Sequence, residues 1–215
     1  MRVNFVGETV DTTIYLIRHA QSHLISTEHY SRWPLSAHGR QQARALAPLL
    51  ATLQIGKLYS SPYTRCVDTI RPFVDQSRLD LSLEQGLEER VIAKGLLSNF
   101  EDVWSRSWSD FDFALPDCES STAAQHRFCQ AVRKIVDHNI GSTLGVSSHG
   151  SVIALFLNSI DRSFLRHQAD RLRNPEVIKI IATENGFHWV RDFRLSGLDD
   201  IATPYHDTPI DFPEA

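Results

Sequence analysis

The chain has 215 residues, of which 42% are hydrophobic and 22% charged, and its 22 basic and 26 acidic residues give a net charge of -4. This composition is typical of a globular domain and excludes a largely disordered chain. Neither sign of charge forms a long run, so the sequence lacks the electrostatic footprint of a nucleic-acid-binding protein, and any anionic ligand must be held by a local cluster. The length favours one domain, residues 1–215, over two.

The cysteine usage and the apolar stretches bear on the compartment. Cys66, Cys118 and Cys129 form no CxxC pair and are odd in number, which predicts free thiols in a reducing compartment. The first residues lack the apolar stretch of a secretory signal. The longest apolar stretch, around 152–157, is much shorter than the about 20 residues that cross a bilayer. We therefore expect a cytoplasmic protein with no membrane partner.

The first part of the chain alternates predicted strands and helices. Residues 12–17 are β-branched and apolar without alternation, the pattern of a strand covered on both faces of a parallel sheet. Ser36 is a suitable N-cap for a helix whose apolar residues recur at helical spacing. Residues 58–60 indicate a short strand. The pair 61–62, Ser-Pro, then predicts the N-cap and first turn of a second helix, which Pro72 limits.

The middle of the chain continues this alternation. Residues 81–83 indicate a third strand, and 119–138 predict a helix with one apolar face. Residues 143–147 have the pattern of another buried strand, and a further helical pattern begins at Gly150 and runs through Leu157. Each of the longer predicted strands is therefore followed by a helix.

The C-terminal part predicts an antiparallel addition to the sheet. Two β-rich runs, 177–183 and 187–193, flank Glu-Asn-Gly at 184–186, and Asn-Gly between such runs is a strong hairpin signal. The whole pattern predicts an α/β fold, a single three-layer domain with a mainly parallel sheet and helices on both faces. The proline-containing segment 203–215 is expected to be an extended tail.

Polar residues follow three of the predicted strands at the point where each strand ends. They are Arg18-His19, the segment 60–65 with Arg65, and His149-Gly150. Ligands of parallel α/β sheets bind at this edge, and two guanidiniums beside two imidazoles describe a pocket for an anion. An Arg-His pair alone indicates little, since the same dipeptide recurs at 166–167 with no strand before it.

Six segments carry a family resemblance. They are LIRHAQS (16–22), PLSAHGRQQA (34–43), SSPYTRCVDT (60–69), LEE (87–89), CES (118–120) and VSSHG (146–150). In order and spacing, over about residues 12–158, they resemble the signatures of the histidine phosphatase superfamily, also called phosphoglycerate mutase-like. Six motifs in one order are much harder to obtain by chance than any one of them.

This resemblance implies a phosphoglycerate mutase-like fold and a role for five residues. His19 is the nucleophile, Arg18 and Arg65 hold the phosphoryl oxygens, His149 adds a second imidazole, and Glu89 is the proton donor. Neutral imidazole is nucleophilic at physiological pH, and a phosphoramidate intermediate divides one difficult displacement into two easier ones. Fixed positive donors stabilise the charge of the transition state.

Further contacts to the phosphate are expected from four residues. These are Gln21, Ser22, Ser61 and Gly150. The sequence departs from the family pattern at Ala20, where Gly is common, and at Ile25, where Asn is often found, so we expect fewer phosphate contacts in this loop.

Two points stay open in the sequence. Glu84 and Glu88 are neighbours of Glu89, and the pattern does not decide which carboxylate faces the pocket. Between 91 and 117 lie five aromatic residues that either form a lid over the pocket or belong to the core. The five are Phe100, Trp104, Trp108, Phe111 and Phe113.

Other chemistries have less support. His19 and His23 have helical i, i+4 spacing, with His29 and His38 following, but no HExxH motif or carboxylate set accompanies them, so we expect no metal and no cofactor. Cysteine phosphatases have a motif of Cys, five residues and then Arg. Four residues separate Cys66 from the next arginine at 71, which rejects that alternative.

The sequence thus predicts a metal-independent, histidine acid-type phosphatase that acts on a small phosphorylated metabolite through a phosphohistidine. Phosphoglycerate mutase is the alternative, although the mutases look longer after the acid residue than this chain. An inactive phosphate-binding or regulatory domain is the second alternative. The expected partners are a small phosphorylated substrate or free phosphate, without nucleic acid or membrane, and a homodimer stays open.

Overall fold

A six-stranded sheet with helices packed on both faces is the core of the computed structural model, which describes residues 10–95, 97–204 and the backbone of 210–211. The strands are β1 (Thr12–Arg18), β2 (Leu24–Ile25), β3 (Lys57–Ser60), β4 (Leu81–Leu83), β5 (Thr143–Ser148), β6 (Glu176–Thr183), β7 (Gly186–Trp189) and β8 (Ile210–Asp211). The α-helices are α1 (Ala37–Ala51), α2 (Thr64–Ser77), α3 (Phe100–Ser109), α4 (Ser121–Asp137), α5 (Gly150–Ile160) and α6 (Arg166–Ala169).

The sheet is mainly parallel, with an antiparallel addition at one side. Its strand order is β4-β3-β5-β1-β6-β7. The first four strands in this order run parallel to one another, whereas β6 is antiparallel to β1 and β7 to β6. The α/β fold class predicted from the sequence is confirmed, and so is the hairpin of β6 and β7. Separately from this sheet, β2 and β8 pair in parallel.

Side chains of β1 alternate between two hydrophobic clusters, one on each face of the sheet. Ile14 and Leu16 pack in the cluster that includes α4 and α5, and Tyr15 and Ile17 pack with α1 and α2. Each fully buried Leu or Ile contributes about 1.5–3 kcal/mol through removal of apolar surface from water. The unbroken apolar pattern of this strand therefore follows from helices covering both of its faces.

The start and the length of α2 differ from the sequence-based prediction. The helix begins at Thr64, its N-cap residue makes no capping bond through its side chain, and Pro72 lies inside it. Ser61 therefore lies before the N-cap, and its hydroxyl accepts from the Tyr63 amide at 3.3 Å and lies 2.8 Å from Nε2 of His149. Pro72 costs the helix one backbone hydrogen bond, but burial of the next residue, Phe73, favours its continuation.

The segment between β4 and α4 contains α3, which the sequence-based prediction did not include. Its N-cap is Asn99, and Glu101 and Asp102 lie in its first turn, which are usual sequence signals of a helix start, although the Asn99 side chain makes no capping bond. The other predicted helices were confirmed with small shifts, and Ser36 caps α1 by accepting a hydrogen bond from the Gly39 amide at 2.9 Å.

The predicted C-terminal tail is described only in part. Thr203 exchanges backbone hydrogen bonds with Asn174, and the backbone of 210–211 forms β8. Residues 205–209 and 212–215 lie outside the described residues. Across the part of the chain that the structure describes, no helix combines the length and the apolar character needed to cross a bilayer.

Gly39 allows the first turn of α1 to lie directly against the loop that follows β1. A Cβ at this position would lie 2.0 Å from the backbone oxygen of Gln21. We expect Gly39→Ala to lower the free energy of unfolding by about 3 kcal/mol, because backbone atoms must shift to relieve the clash. Urea unfolding monitored by circular dichroism measures this change.

Gly56→Ala is the matched control, since the nearest atom to its Cβ is the Thr143 oxygen at 3.8 Å. Its free energy of unfolding should stay within about 1 kcal/mol of the wild type. Equal losses in the two variants would contradict a specific close approach at residue 39.

Candidate active site

Three parallel strands end side by side and bring the predicted polar residues together. β1 and β5 pair in register as far as Arg18 and Ser148, and β3 flanks β5 on its other side. The rings of His19 and His149, which directly follow β1 and β5, have centroids 5.3 Å apart. Arg65 on α2 places its Nε 3.2 Å from Nε2 of His19. The convergence expected at this sheet edge is therefore present.

The ring of His19 is oriented by a hydrogen bond to its neighbour's backbone. Its Nδ1 lies 2.8 Å from the carbonyl oxygen of Ala20. A carbonyl oxygen only accepts, so Nδ1 carries the proton and Nε2 accepts from Arg65. Burial, with additional effects from Arg65 and Arg18, holds the pKa of His19 well below 6.5. The imidazole is neutral, and Nε2 is its basic nitrogen.

Two side chains hold the backbone around this histidine. The amide of Ala20 donates to Oγ1 of Thr69 at 2.9 Å, and Nδ2 of Asn174 donates to the carbonyl of His19 at 2.8 Å. All these groups are buried, where a polar atom left without a partner costs about 1–3 kcal/mol. Sequence reasoning missed both residues as contributors, because they lie 49 and 155 positions from their partners.

Two buried guanidiniums stand beside the histidines. Nη1 of Arg65 donates to the backbone oxygen of Tyr30 at 2.7 Å, and Nη1 of Arg18 donates to that of Leu172 at 2.5 Å. A Cβ on Gly150 would lie 2.7 Å from Cζ of Arg18, so the glycine allows the guanidinium to pack against the start of α5. Buried, fixed cations at a helix N-terminus form a favourable environment for an anion.

His149 is completely buried and has two hydrogen-bonding neighbours. Its Nε2 is 2.8 Å from the hydroxyl of Ser61 and 3.3 Å from the sulfur of Cys66. Burial, followed by the positive charge of Arg65, holds the pKa of His149 well below 6.5. Burial also raises the pKa of Cys66 to about 12, so this residue is a thiol and not a thiolate nucleophile.

A cavity of about 650 Å³ opens at this edge of the sheet. Six of the predicted site residues are among those that line it. These are Arg18, His19, Ser22, Arg65, Glu89 and Gly150. The other three, Gln21, Ser61 and His149, are not among its described lining residues. The oxygen of the Gln21 side chain accepts from the Ser36 hydroxyl at 2.6 Å, and Ser61 contacts His149.

The backbone of Gln21 belongs to a buried network around Gln42. Oε1 of Gln42 accepts from the amide of Gln21 at 2.9 Å, and its Nε2 donates to the carbonyl oxygens of Asn174 and Ile201 at 2.7 and 2.8 Å. The network therefore joins the loop after β1 to segments far along the chain.

The structure separates the three candidate carboxylates. Glu89 lines the cavity, and its Oε2 accepts from the amide of Ser151 at the start of α5, at 3.2 Å. Glu84 forms an ion pair with Lys134, and Glu88 accepts from a backbone amide two residues earlier. Glu89 is therefore the one of the three that lies with the histidines and guanidiniums.

The aromatic segment contributes to both the cavity and the core. Phe100 and Trp104 line the cavity, and Trp104, Trp108 and Phe111 pack against the larger core cluster. The ring of Phe113 lies under the guanidinium of Arg106 instead, with Cζ 4.0 Å from the ring centroid.

Arg166 lines the same cavity, although an Arg-His dipeptide with no strand before it does not predict a functional site. Its guanidinium forms ion pairs with Glu101 and, at 3.4 Å, with Asp170. Asp170 also accepts from the indole of Trp104 at 2.7 Å. The only local signal is the i, i+4 spacing of Arg166 and Asp170, since no strand leads into α6.

The histidines of the metal alternative have other neighbours. His19 faces Arg65 and His149, and Nδ1 of His29 is 2.7 Å from the Ser31 hydroxyl. In residues 10–95 and 97–204, no three His, Cys, Asp or Glu side chains are grouped so that they could hold a metal ion.

A three-layer α/β fold with paired histidines and arginines at the carboxyl edge of its sheet agrees with the superfamily resemblance of the sequence motifs. The family model of the histidine phosphatase superfamily (branch 1) matches residues 14–192, so the chain belongs to this superfamily.

Individual relatives include both phosphatases and mutases. The chain is 28% identical to a probable phosphoglycerate mutase GpmB of Enterobacter sp. (strain 638) over 179 residues, which is 78% of this chain and 83% of the relative. A mycobacterial glucosyl-3-phosphoglycerate phosphatase in complex with inorganic phosphate superposes with a TM-score of 0.71 at 19% identity, covering 86% of this chain and 98% of that one. The phosphoglycerate mutase of Bacillus anthracis str. Sterne superposes with a TM-score of 0.72 at 18% identity, covering 90% of this chain and 97% of the mutase chain.

The two buried neutral histidines predict a pH dependence of stability. Their folded-state pKa values lie below the about 6.5 of an unfolded chain, so the unfolded state takes up protons first as the pH falls. Below about pH 6.5 each histidine should therefore remove up to about 1.4 kcal/mol of stability per pH unit.

Urea unfolding of wild type, His19→Asn and His149→Asn between pH 7.5 and 5.5 tests this dependence. We expect each single variant to lose part of the acid-side slope. An unchanged slope in both variants would show that these histidines are protonated in the folded state.

Proposed function

We propose that the protein is a metal-independent phosphomonoesterase that hydrolyses a small phosphorylated metabolite through a phosphohistidine at His19. The observation that carries the proposal is the orientation of His19, whose protonated Nδ1 is held by the Ala20 carbonyl while its basic Nε2 lies beside Arg65. Glu89 lines the same cavity and supplies a carboxyl group within the site.

In the first step, Nε2 of His19 attacks phosphorus and forms a phosphorus–nitrogen bond. The bond from phosphorus to the alcohol oxygen breaks, and that oxygen keeps the electron pair and takes a proton from Glu89. Arg18 and Arg65 stabilise the phosphoryl oxygens, an effect worth about 3 to 4 kcal/mol for a well-placed donor, with His149 as the second imidazole beside them.

In the second step, water attacks the phosphohistidine. Glu89, now a carboxylate, takes a proton from this water, the phosphorus–nitrogen bond breaks, and its electron pair returns to Nε2 of His19. Inorganic phosphate leaves, and the neutral imidazole is restored. Proton transfer by one positioned carboxyl group in both steps is typically worth about 10²- to 10⁴-fold in rate.

Phosphoglycerate mutase is the second candidate, favoured by the similarity to the probable mutase of Enterobacter. A mutase returns the phosphoryl group to a carbon skeleton, whereas a phosphatase transfers it to water. Incubation with 3-phosphoglycerate separates them, because release of free phosphate supports the phosphatase and formation of 2-phosphoglycerate supports the mutase. Absence of both, together with phosphate binding and no turnover of p-nitrophenyl phosphate, would support an inactive phosphate-binding domain.

The intermediate should be trapped directly. Acid-free quenching of the protein with a ³²P-labelled ester should leave an alkali-stable, acid-labile phosphoryl group on His19, because phosphoramidates hydrolyse in acid. His19→Ala should lose the label and the activity, and chelators should leave the wild-type rate unchanged. A label that persists in His19→Ala, or a metal requirement, would reject the mechanism.

The role of Glu89 should depend on the leaving group. Glu89→Gln should lower kcat for alkyl phosphates by about 10²- to 10⁴-fold, since an alkoxide needs a proton to leave. The loss should be much smaller for p-nitrophenyl phosphate, whose phenolate leaves without protonation.

Glu84→Gln is the matched control, because this carboxylate pairs with Lys134 away from the cavity. It should keep both rates near those of the wild type. Equal losses for the two esters in Glu89→Gln would contradict a role as proton donor.

A further inference from the structure

The cavity extends beyond the phosphate-binding residues, and much of this remaining part is apolar. The residues that form it come from the loop after β1, the segment before α3, and α3 itself. Its larger apolar members are Leu24, Trp33, Ile92, Leu97, Phe100 and Trp104. The alcohol portion of a phosphate ester bound at His19 would lie against these side chains.

The aromatic members of this wall present ring surface. Phe100 and Trp104 stack nearly parallel, with an interplanar angle of 11° and centroids 6.3 Å apart. The indole N–H of Trp104 is bonded to Asp170 at 2.7 Å, and that of Trp33 to the backbone oxygen of Ile25 at 2.8 Å. Because both indole donors already have acceptors, the wall offers dispersion and apolar contact more than hydrogen bonds.

The cations in this part of the cavity are already matched by acceptors. Arg166 is paired with Glu101 and Asp170. Arg90 donates through Nε to a backbone oxygen at 2.9 Å and through Nη1 to the Ser121 hydroxyl at 2.8 Å. A carboxylate or second phosphate on the substrate would have to displace one of the two carboxylates at Arg166 and would meet their negative charge.

We infer that the site selects monophosphate esters of apolar, preferably aromatic, alcohols that carry no second anionic group. The inference rests on the proposed function and names its substrate class. It also disfavours phosphoglycerate, whose carboxylate would approach Glu101 and Asp170.

Three esters of primary alcohols test this selectivity with similar leaving groups: ethyl phosphate, 2-phenylethyl phosphate and 3-phosphoglycerate. We expect kcat/KM for 2-phenylethyl phosphate to exceed that for ethyl phosphate by about tenfold or more, because burial of the phenyl ring against the apolar wall contributes binding energy. 3-Phosphoglycerate should be no better than ethyl phosphate.

Phe100→Ala tests the aromatic wall, and it should fold because Phe100 is partly exposed, with 37% of its surface accessible. It should lower the preference for 2-phenylethyl over ethyl phosphate by about threefold or more. Leu83→Ala is the control, since it removes an exposed apolar side chain on β4, 58% accessible, that does not line the cavity, and it should keep the wild-type preference.

Glu101→Gln tests the charge argument, since it removes one carboxylate from Arg166. It should raise kcat/KM for 3-phosphoglycerate relative to ethyl phosphate by about threefold. The inference would be overturned if the wild type preferred 3-phosphoglycerate, or if kcat/KM were equal for ethyl and 2-phenylethyl phosphate. The proposed function would still stand in either case. Absence of turnover and of labelled His19 with every ester would overturn both.

Discussion

Arg18, Arg65 and His19 line one hollow, and the ring of His149 lies buried beside it, 5.3 Å from that of His19. These four basic groups can pack together because both imidazoles are neutral. A buried charge needs partners to offset the loss of hydration. Arg18 and Arg65 each donate a hydrogen bond to a backbone oxygen of another segment. Burial and the two arginines disfavour protonation of His19 and His149. The same balance that limits the charge of the hollow also leaves a basic ring nitrogen, Nε2 of His19, beside Arg65. Positive charge and a neutral, basic imidazole therefore coexist at one point of the fold.

The strand order of the sheet makes this hollow possible. β5 lies between β1 and β3, so three parallel strands end together and each delivers one loop to the same edge. The N-terminal turn of α5 completes it, with Gly150 against Arg18 and the amide of Ser151 on Glu89. The imidazole and guanidinium groups thus stand at the ends of strands or on helices, whereas the Glu89 carboxylate comes from the loop after β4 and is held by the start of α5.

The sequence predicted those parts of the fold that depend on local patterns. The apolar run of β1, the Ser36 cap of α1 and the Asn-Gly turn before β7 each act over a few residues, and the structure confirms them. Ser61 shows where local patterns fail. Its Ser-Pro sequence is a typical helix start, but the hydroxyl contacts His149, 88 positions away, and no local pattern contains that partner.

The assignment of site residues divides in the same way. Residues at strand ends could be placed together from the sequence, and the family resemblance supplied their expected roles. Thr69, Asn174 and Arg166 could not be found, because each acts through a partner that only the folded chain brings near. The choice among the three glutamates likewise depends on how the loop after β4 meets α5.

The network around Gln42 has a consequence for the timing of biosynthesis. Asn174, whose amide holds the carbonyl of His19, is added to the growing chain 155 residues after that histidine, and Ile201 later still. A ribosome-bound chain therefore carries the His19 imidazole for most of translation without the hydrogen bond that holds its backbone. The backbone around His19 is fixed only after the segment before β6 has been synthesised and has docked beside the end of β1.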